Sequence, residues 1–270
     1  VDATTGEVTI VAVGTATITA TVTDNDNYTY DVTTASYTLN VEGATLANSA
    51  VGNIICSHGY AHDMTSDPSA ALPCGGTKIA IVASKGDGEA NESYINGLAI
   101  SMADLTAGAD TKWCSTGSGT DLDTQYGSLN SSCLADLNGL SYTAALVEKG
   151  DAYQAAKNCN DYNSTVSTPD GCSDWFLSTI GQWNLILKGL TGQATNLSLS
   201  ENANYKGSAI NTILAEKAGN DAMLKAEGGG YWSSTECSDA NAWYVGFLYG
   251  NANSGANKTG TGRIRAVLAF

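Results

Sequence analysis

Residues 228–270 read GGGYWSSTECSDANAWYVGFLYGNANSGANKTGTGRIRAVLAF, and the reading of the chain starts here. Three short apolar segments stand in this stretch. Tyr231 and Trp232 open the first. In the second, Ala242, Trp243, Val245 and Phe247 alternate with Tyr244 and Gly246, the period-2 pattern of a half-buried strand. Ile264, Val267, Leu268 and Phe270 close the chain. Alternation sends Trp243, Val245 and Phe247 inward and Tyr244, Gly246 and Leu248 outward. Between the segments run Asn, Ser, Gly, Thr and Ala, residues that favour turns and carry little framework signal.

Tyr231-Trp232-Ser233-Ser234-Thr235, Ala242-Trp243, Val245, Phe247, Lys258 and Arg265-Ala266-Val267 resemble the end of a C-type-lectin-like domain. The match is to the variable proteins of diversity-generating retroelements in gut Bacteroidetes and their phages. The resemblance implies that Trp232, Trp243, Val245, Phe247 and Arg265 are scaffold. It also implies that asparagine codons between them are rewritten at their adenines. Cys237, Ser238, Asp239, Asn241, Tyr244, Gly246, Leu248, Tyr249, Asn251, Asn253, Ser254, Gly255, Ala256, Asn257, Gly260 and Gly262 are all reachable from AAC or AAT by adenine changes alone. Glu, Gln, Lys, Met and Trp are not, and none occurs at those positions. The expected ligand-binding surface is Cys237, Asp239, Asn241, Tyr244, Gly246, Leu248, Tyr249, Asn251, Asn253 and Asn257. Tyr244, Leu248 and Tyr249 are its expected anchors, because binding energy concentrates in a few large side chains.

The chain has 270 residues and a formal net charge of −15. Nucleic acid and anionic membranes are therefore excluded as partners, since phosphate binding needs clustered Lys and Arg. No apolar run approaches the ~20 residues of a membrane helix. The opening VDATTGEV is no signal peptide, so membrane attachment is expected only through a lipid anchor removed from the chain. The seven cysteines include no CxxC pair, which argues against a zinc ribbon or redox motif. Their spacing allows Cys56 with Cys74, Cys114 with Cys133 and Cys159 with Cys172. An oxidising extracellular setting, with Cys237 left over, is the expectation.

Residues 1–43 read as a separate β unit. EVTIVAV, TATITATVT and ASYTLNV are β-branched, period-2 segments around a polar loop at 24–31. With Asp2 through Gly6, Val8, Ala12 to Ala16, Ile18 to Ala20 and Leu39 to Val41, the unit resembles the second half of a bacterial group-2 immunoglobulin-like domain. Such a half-domain has open edges and is expected to pack on the main domain or on another copy.

Residues 44–270 read as one α+β domain, with a variable region at about 231–270. Strands are expected at Gly52–Cys56, Lys78–Ala83 and Trp175–Leu177. Ala144, Leu146, Val147, Ala152, Ala155 and Ala156 predict a helix over Thr143–Asn158 that Gly150 interrupts. Thr179 and Gln182 have capping-box spacing, and Trp183, Ile186, Leu187 and Leu190 follow on one face, with Gly192 beyond the end. A further helix is expected over Ser208–Ala218. DWFLSTIGQWNLIL (174–187), Gly97 to Ile100 and Trp113-Cys114 extend the lectin-like resemblance, which implies a mixed sheet with two main helices.

Metal and catalysis are not expected. His58, His62 and Asp63 lie in a Gly-containing loop where H-x3-H spacing does not bring ligands together, and both histidines are read as surface residues. Asp87, Glu89 and Glu92 lack EF-hand spacing and read as a solvated acidic loop. The Glu-Pro-Asn, Gln-Pro-Asp and Trp-Asn-Asp motifs of calcium-dependent lectins are absent. So are a G-x-S-x-G elbow, a P-loop and HExxH, and no cofactor is implied. The fold is shared with formylglycine-generating enzymes, whose activity needs paired cysteines, and Cys237 has no partner near it in sequence. The reading is a secreted or surface-displayed binder of protein or glycan with a diversified C-terminal surface. A non-diversified adhesin or pilus-tip subunit is the alternative.

Overall fold

The computed structural model describes the chain except residues 1–5, 7, 9–13, 25, 31–32, 42, 65–66, 106–110, 117–118, 120 and 226–229. The strands in order are β1 (Gly14–Thr21), β2 (Thr34–Val41), β3 (Ala44–Thr45), β4 (Ile54–Cys56), β5 (Tyr60–His62), β6 (Lys78–Lys85), β7 (Gly97–Ser101) and β8 (Thr111–Lys112). Helices α1 (Ser131–Leu134), α2 (Gly139–Glu148), α3 (Gln154–Tyr162), α4 (Ile180–Thr191) and α5 (Gly207–Ala218) follow. The chain ends in β9 (Tyr231–Glu236), β10 (Asn241–Gly246), β11 (Asn251–Asn257), β12 (Thr261–Gly262) and β13 (Val267–Ala269).

A six-stranded antiparallel sheet, ordered β13-β7-β6-β4-β5-β3, forms the centre. Its central strand β6 is buried on both faces and so reads as an almost continuous apolar run rather than an alternating one. Alternation still sorts the side chains. Ile54, Cys56, Ile81, Ala83, Leu98, Ile100 and Val267 enter one core, with Trp183, Ile186 and Leu187 of α4, Ile210 and Leu214 of α5, and Trp243, Val245 and Phe247. Ile55, Ala80, Val82, Ala99 and Leu268 enter the other, with Leu146, Ala155, Ala156, Trp113, Trp175 and Trp232. Helix α4 lies close to β6 because Gly189 has no Cβ, which would run into the Ala83 carbonyl.

The capping box forms as its spacing predicts. Gln182 N donates to Thr179 Oγ1 at 3.1 Å, Thr179 N donates to Gln182 Oε1 at 2.9 Å, and Gly192 closes the helix with φ +65°. The helix expected over 143–158 is two helices. Gly150, at φ +114°, breaks the chain between α2 and α3. Residues 175–177 are not a strand but a single antiparallel bridge, Phe176 to Val267. Glu89 is not solvated; it is buried, accepts from Gln182 Nε2 at 2.8 Å and from Leu140 N at 3.3 Å, and burial pushes its carboxyl up. His62 is likewise buried, in β5, rather than on the surface.

Among the described residues, strands β1 and β2 form a two-stranded sheet, with Thr17 opposite Thr38 and Ile18 opposite Tyr37. No residue of this pair whose side chain is described is buried. Most of the segment EVTIVAV, like most of 228–230, lies outside the described residues. All seven cysteines are free thiols, and Cys114 and Cys133 fall in different cores. Among the described residues, no helix is long and apolar enough to cross a membrane.

Candidate functional site

Strands β9, β10 and β11 form a separate three-stranded antiparallel sheet with β10 in the middle. Its inner layer is fixed by size and shape. Trp243, Val245 and Phe247 are at most 2% exposed. The Trp243 indole donates to the Tyr126 carbonyl at 2.6 Å, and the Trp232 indole to the Thr111 carbonyl at 2.7 Å. A hydrogen-bonded indole cannot rotate away without leaving a buried donor unpaired.

The outer layer is the complement. Tyr244, Gly246 and Leu248 are half-buried, Tyr249 is 41% exposed, and Asn253 and Asn257 are exposed. Register brings them together: Asn241 lies opposite Asn257, Tyr244 opposite Asn253, and Gly246 opposite Asn251. Between the first two pairs β11 bulges, so that Ser254 and Gly255 share the place facing Trp243. Asn253 spans this face, donating from Nδ2 to the Tyr244 hydroxyl at 3.3 Å and accepting from Gly255 N at 2.7 Å. Asn257 accepts from Thr259 N at 2.9 Å.

One end of the face is concave. A cleft of about 200 Å³ is lined by Tyr244, Gly246, Phe247, Leu248, Tyr249 and Asn251, with Gly230, Glu201 and Lys225. Gly230 makes room for Tyr244, whose ring occupies the space a Cβ would need. The Tyr244 ring also meets Trp232 edge-on at 5.9 Å. Tyr249 is held by its backbone, its carbonyl accepting from Asn202 N at 3.1 Å, and Gly250 turns the chain at φ +60°.

Five expected surface residues thus line the cleft, and Asn253 bonds to one of them. Asn241 and Asn257 stand at the opposite end of the strand pair. Asp239 is exposed in the β9–β10 loop, where its carboxylate accepts from Gln125 Nε2 at 3.4 Å. Cys237 leans on the core that holds Trp243 rather than standing free, and burial pushes its thiol up. Glu201 and Lys225 reach the cleft from distant segments and were not visible as site residues. The Lys225 amide donates to the Tyr231 hydroxyl at 2.7 Å, which ties its segment to β9.

The scaffold residue Arg265 is fully buried. It donates from Nη1 to Asp104 at 2.9 Å and from Nη2 to the Ala222 carbonyl at 2.6 Å. The two histidines do not share a site. Asp63 pairs with Lys217 at 2.6 Å, His62 is buried, and His58 stands beside Cys56 and Cys74.

No family model and no curated protein matches the sequence. A solved structure does. A fimbrial protein from Bacteroides ovatus shares 17% identity with this chain at a TM-score of 0.56, over 82% of this chain and 49% of its own length. The chain therefore spans about half the length of that fimbrial protein. At this identity the likeness is one of fold: a mixed α/β arrangement with several sheets and few helices.

Proposed function

We propose that the chain is a surface-displayed, ligand-binding protein of adhesin type that contacts its partner through the outer face of β10 and β11. The observation that carries this is the contrast within one strand pair. Trp243, Val245 and Phe247 face in and are buried, with the Trp243 indole hydrogen-bonded, while Tyr244, Leu248, Tyr249 and Asn251 line a cleft and Asn253 bonds to Tyr244. A rigid layer beneath adaptable polar and aromatic side chains is what a changeable binding surface needs. Aromatic and aliphatic anchors beside amide donors and acceptors suit a protein or glycan partner. The chain's acidic balance keeps nucleic acid out of the reading, and no catalytic step is assigned to it.

In this proposal residues 44–270 are a C-type-lectin-like domain whose outer face is rewritten by retroelement mutagenesis. The sequence pattern between the scaffold residues supports that part. The fimbrial neighbour favours a second reading, a fixed adhesin or pilus-tip subunit with the same face.

Binding is tested on glycan and protein arrays with the wild type and a Tyr244→Ala/Leu248→Ala/Tyr249→Ala variant that melts at the wild-type temperature. A loss of about tenfold or more at the array hits is expected, since anchors dominate such interfaces. Undiminished binding would overturn the site. The two readings separate in the gene. Diversification requires substitutions confined to about 237–262 among isolates, with Trp232, Trp243, Val245, Phe247 and Arg265 constant. A fixed subunit requires an invariant face.

A further inference from the structure

At the far end of β4, the ligand atoms of Cys56, His58 and Cys74 all lie within 4.8 Å of one another. We propose that these three side chains bind one thiophilic divalent cation, zinc in the first instance, with a fourth position open to solvent.

Two sulfurs and one imidazole nitrogen form a donor set that selects zinc over calcium or magnesium, which take oxygen. The donors sit on a fixed frame. Cys56 ends β4 and is fully buried. The Ser57 amide donates to the Thr77 carbonyl at 2.9 Å and the Thr77 amide to Ser57 Oγ at 3.1 Å, so the loop carrying Cys74 is clamped to the strand. Gly59, at φ +82°, makes the tight turn that folds His58 back, and its amide donates to the Cys56 carbonyl at 2.9 Å.

The surroundings fit a ligand set better than a thiol pair alone. The Gly76 amide donates to Cys74 Sγ at 3.4 Å, the kind of outer hydrogen bond that orients a metal-bound thiolate. His58 Nδ1 lies 3.2 Å from the Cys74 carbonyl oxygen, which holds the ring over the same loop. Gly76 leaves space where a Cβ would stand 3.3 Å from both Cys74 Sγ and His58 Nδ1. A Cys56–Cys74 disulfide would need neither the imidazole nor that space. Exposure rises from Cys56 through half-buried Cys74 to exposed His58, so the open position faces water. Bound there, the cation would staple the 57–77 loop to the central sheet.

The test is cobalt titration of the whole chain, reduced and kept free of oxygen, followed by zinc. One equivalent of cobalt should give a thiolate-to-metal charge-transfer band and the visible bands of a tetrahedral site, and zinc should displace it. Cys74→Ser, which leaves Cys56 as the one thiolate, should cut the charge-transfer intensity per bound cobalt to about half or less and weaken binding. His58→Ala, at an exposed position, should keep the fold by circular dichroism and weaken binding about tenfold or more. The absence of a saturable cobalt spectrum would overturn the proposal, as would binding by either variant undiminished from the wild type. So would a Cys56–Cys74 disulfide found by peptide mapping of protein alkylated as it leaves the cell.

Discussion

Lys258 donates its ammonium to Glu236 at a point where neither side chain has any exposure to solvent. Asp121 approaches the same ammonium at 2.6 Å, the Gly119 carbonyl at 2.8 Å, and the Trp113 ring centroid lies 4.9 Å away. Glu236 in turn accepts from the amides of Asp121 and Leu122, both at 3.0 Å. One buried cluster thus joins the end of β9 and the turn after β11 to Gly119, Asp121 and Leu122.

Lys258→Met should therefore be among the most damaging substitutions in the chain. It leaves two carboxylates unpaired in the interior, and breaking a buried pair from one side costs roughly 3–5 kcal/mol. Adding Glu236→Gln should recover part of that loss, because it removes one stranded charge. Urea unfolding of the single and double variants measures both. Additive losses would show that the two groups do not depend on each other.

Trp243 and Asn253 divide scaffold from surface. Trp243→Ala removes a fully buried indole and orphans the Tyr126 carbonyl, for a cost of roughly 3–5 kcal/mol. Asn253→Ser keeps a short acceptor at an exposed position and should stay within about 0.5 kcal/mol. Thermal melts of the two variants decide it, and equal losses would dissolve the division.

Much of this face was legible because its signals are local. Alternation at Trp243, Val245 and Phe247, and the Thr179–Gln182 capping pair, lie within single elements, where period and spacing act directly. What could not be read depends on chain reversal. Asp104 and Arg265 are 161 positions apart, and no spacing announces their pairing. Glu201 and Lys225 reach the cleft because Ser198 bridges to Asn251 and Lys225 bonds to Tyr231. His62 looked like a loop residue because the short strand 60–62 owes its existence to pairing with β4 and β3, not to its own composition. Cys56, His58 and Cys74 carry no motif, since the last two are 16 positions apart and are brought together by the β4–β6 pairing and the Ser57–Thr77 bonds beside it.

Gly246 and Gly230 should respond oppositely to an added side chain. A Cβ at Gly246 would meet Asn251 Oδ1 at 2.5 Å, and that amide is a movable tip at the surface. Gly246→Ser should cost less than about 1 kcal/mol, in keeping with a changeable position. A Cβ at Gly230 would strike the Tyr244 ring and stand 2.7 Å from the Val245 carbonyl, which is backbone. Gly230→Ala should cost roughly 1–3 kcal/mol and reshape the cleft through Tyr244. Chemical denaturation reads the first effect, and quenching of Tyr and Trp fluorescence reads the second. A tolerated Gly230→Ala would mean that Tyr244 is not held as described.

Acid should loosen the central sheet through His62. Its ring is buried in β5 opposite Ile54, neither ring nitrogen has a hydrogen-bond partner among the described residues, and burial holds its proton affinity below the ordinary value of 6.5. Because the folded pKa is the lower one, the unfolded chain takes up this proton first as pH falls. The histidine's contribution is thus fully present above pH 6.5 and is lost progressively from there down toward its folded value. Glu89 acts with the opposite sign at lower pH. Its folded pKa is raised above 4.5, so its contribution is present in acid and lost as pH rises through that shifted value. The comparison is therefore between the wild type and His62→Phe, which keeps an aromatic ring and cannot titrate. Between pH 7 and the carboxylate range, the wild type should lose stability more steeply than His62→Phe in urea melts at each pH. Parallel slopes would show that His62 is solvated and free to take its proton in the folded chain.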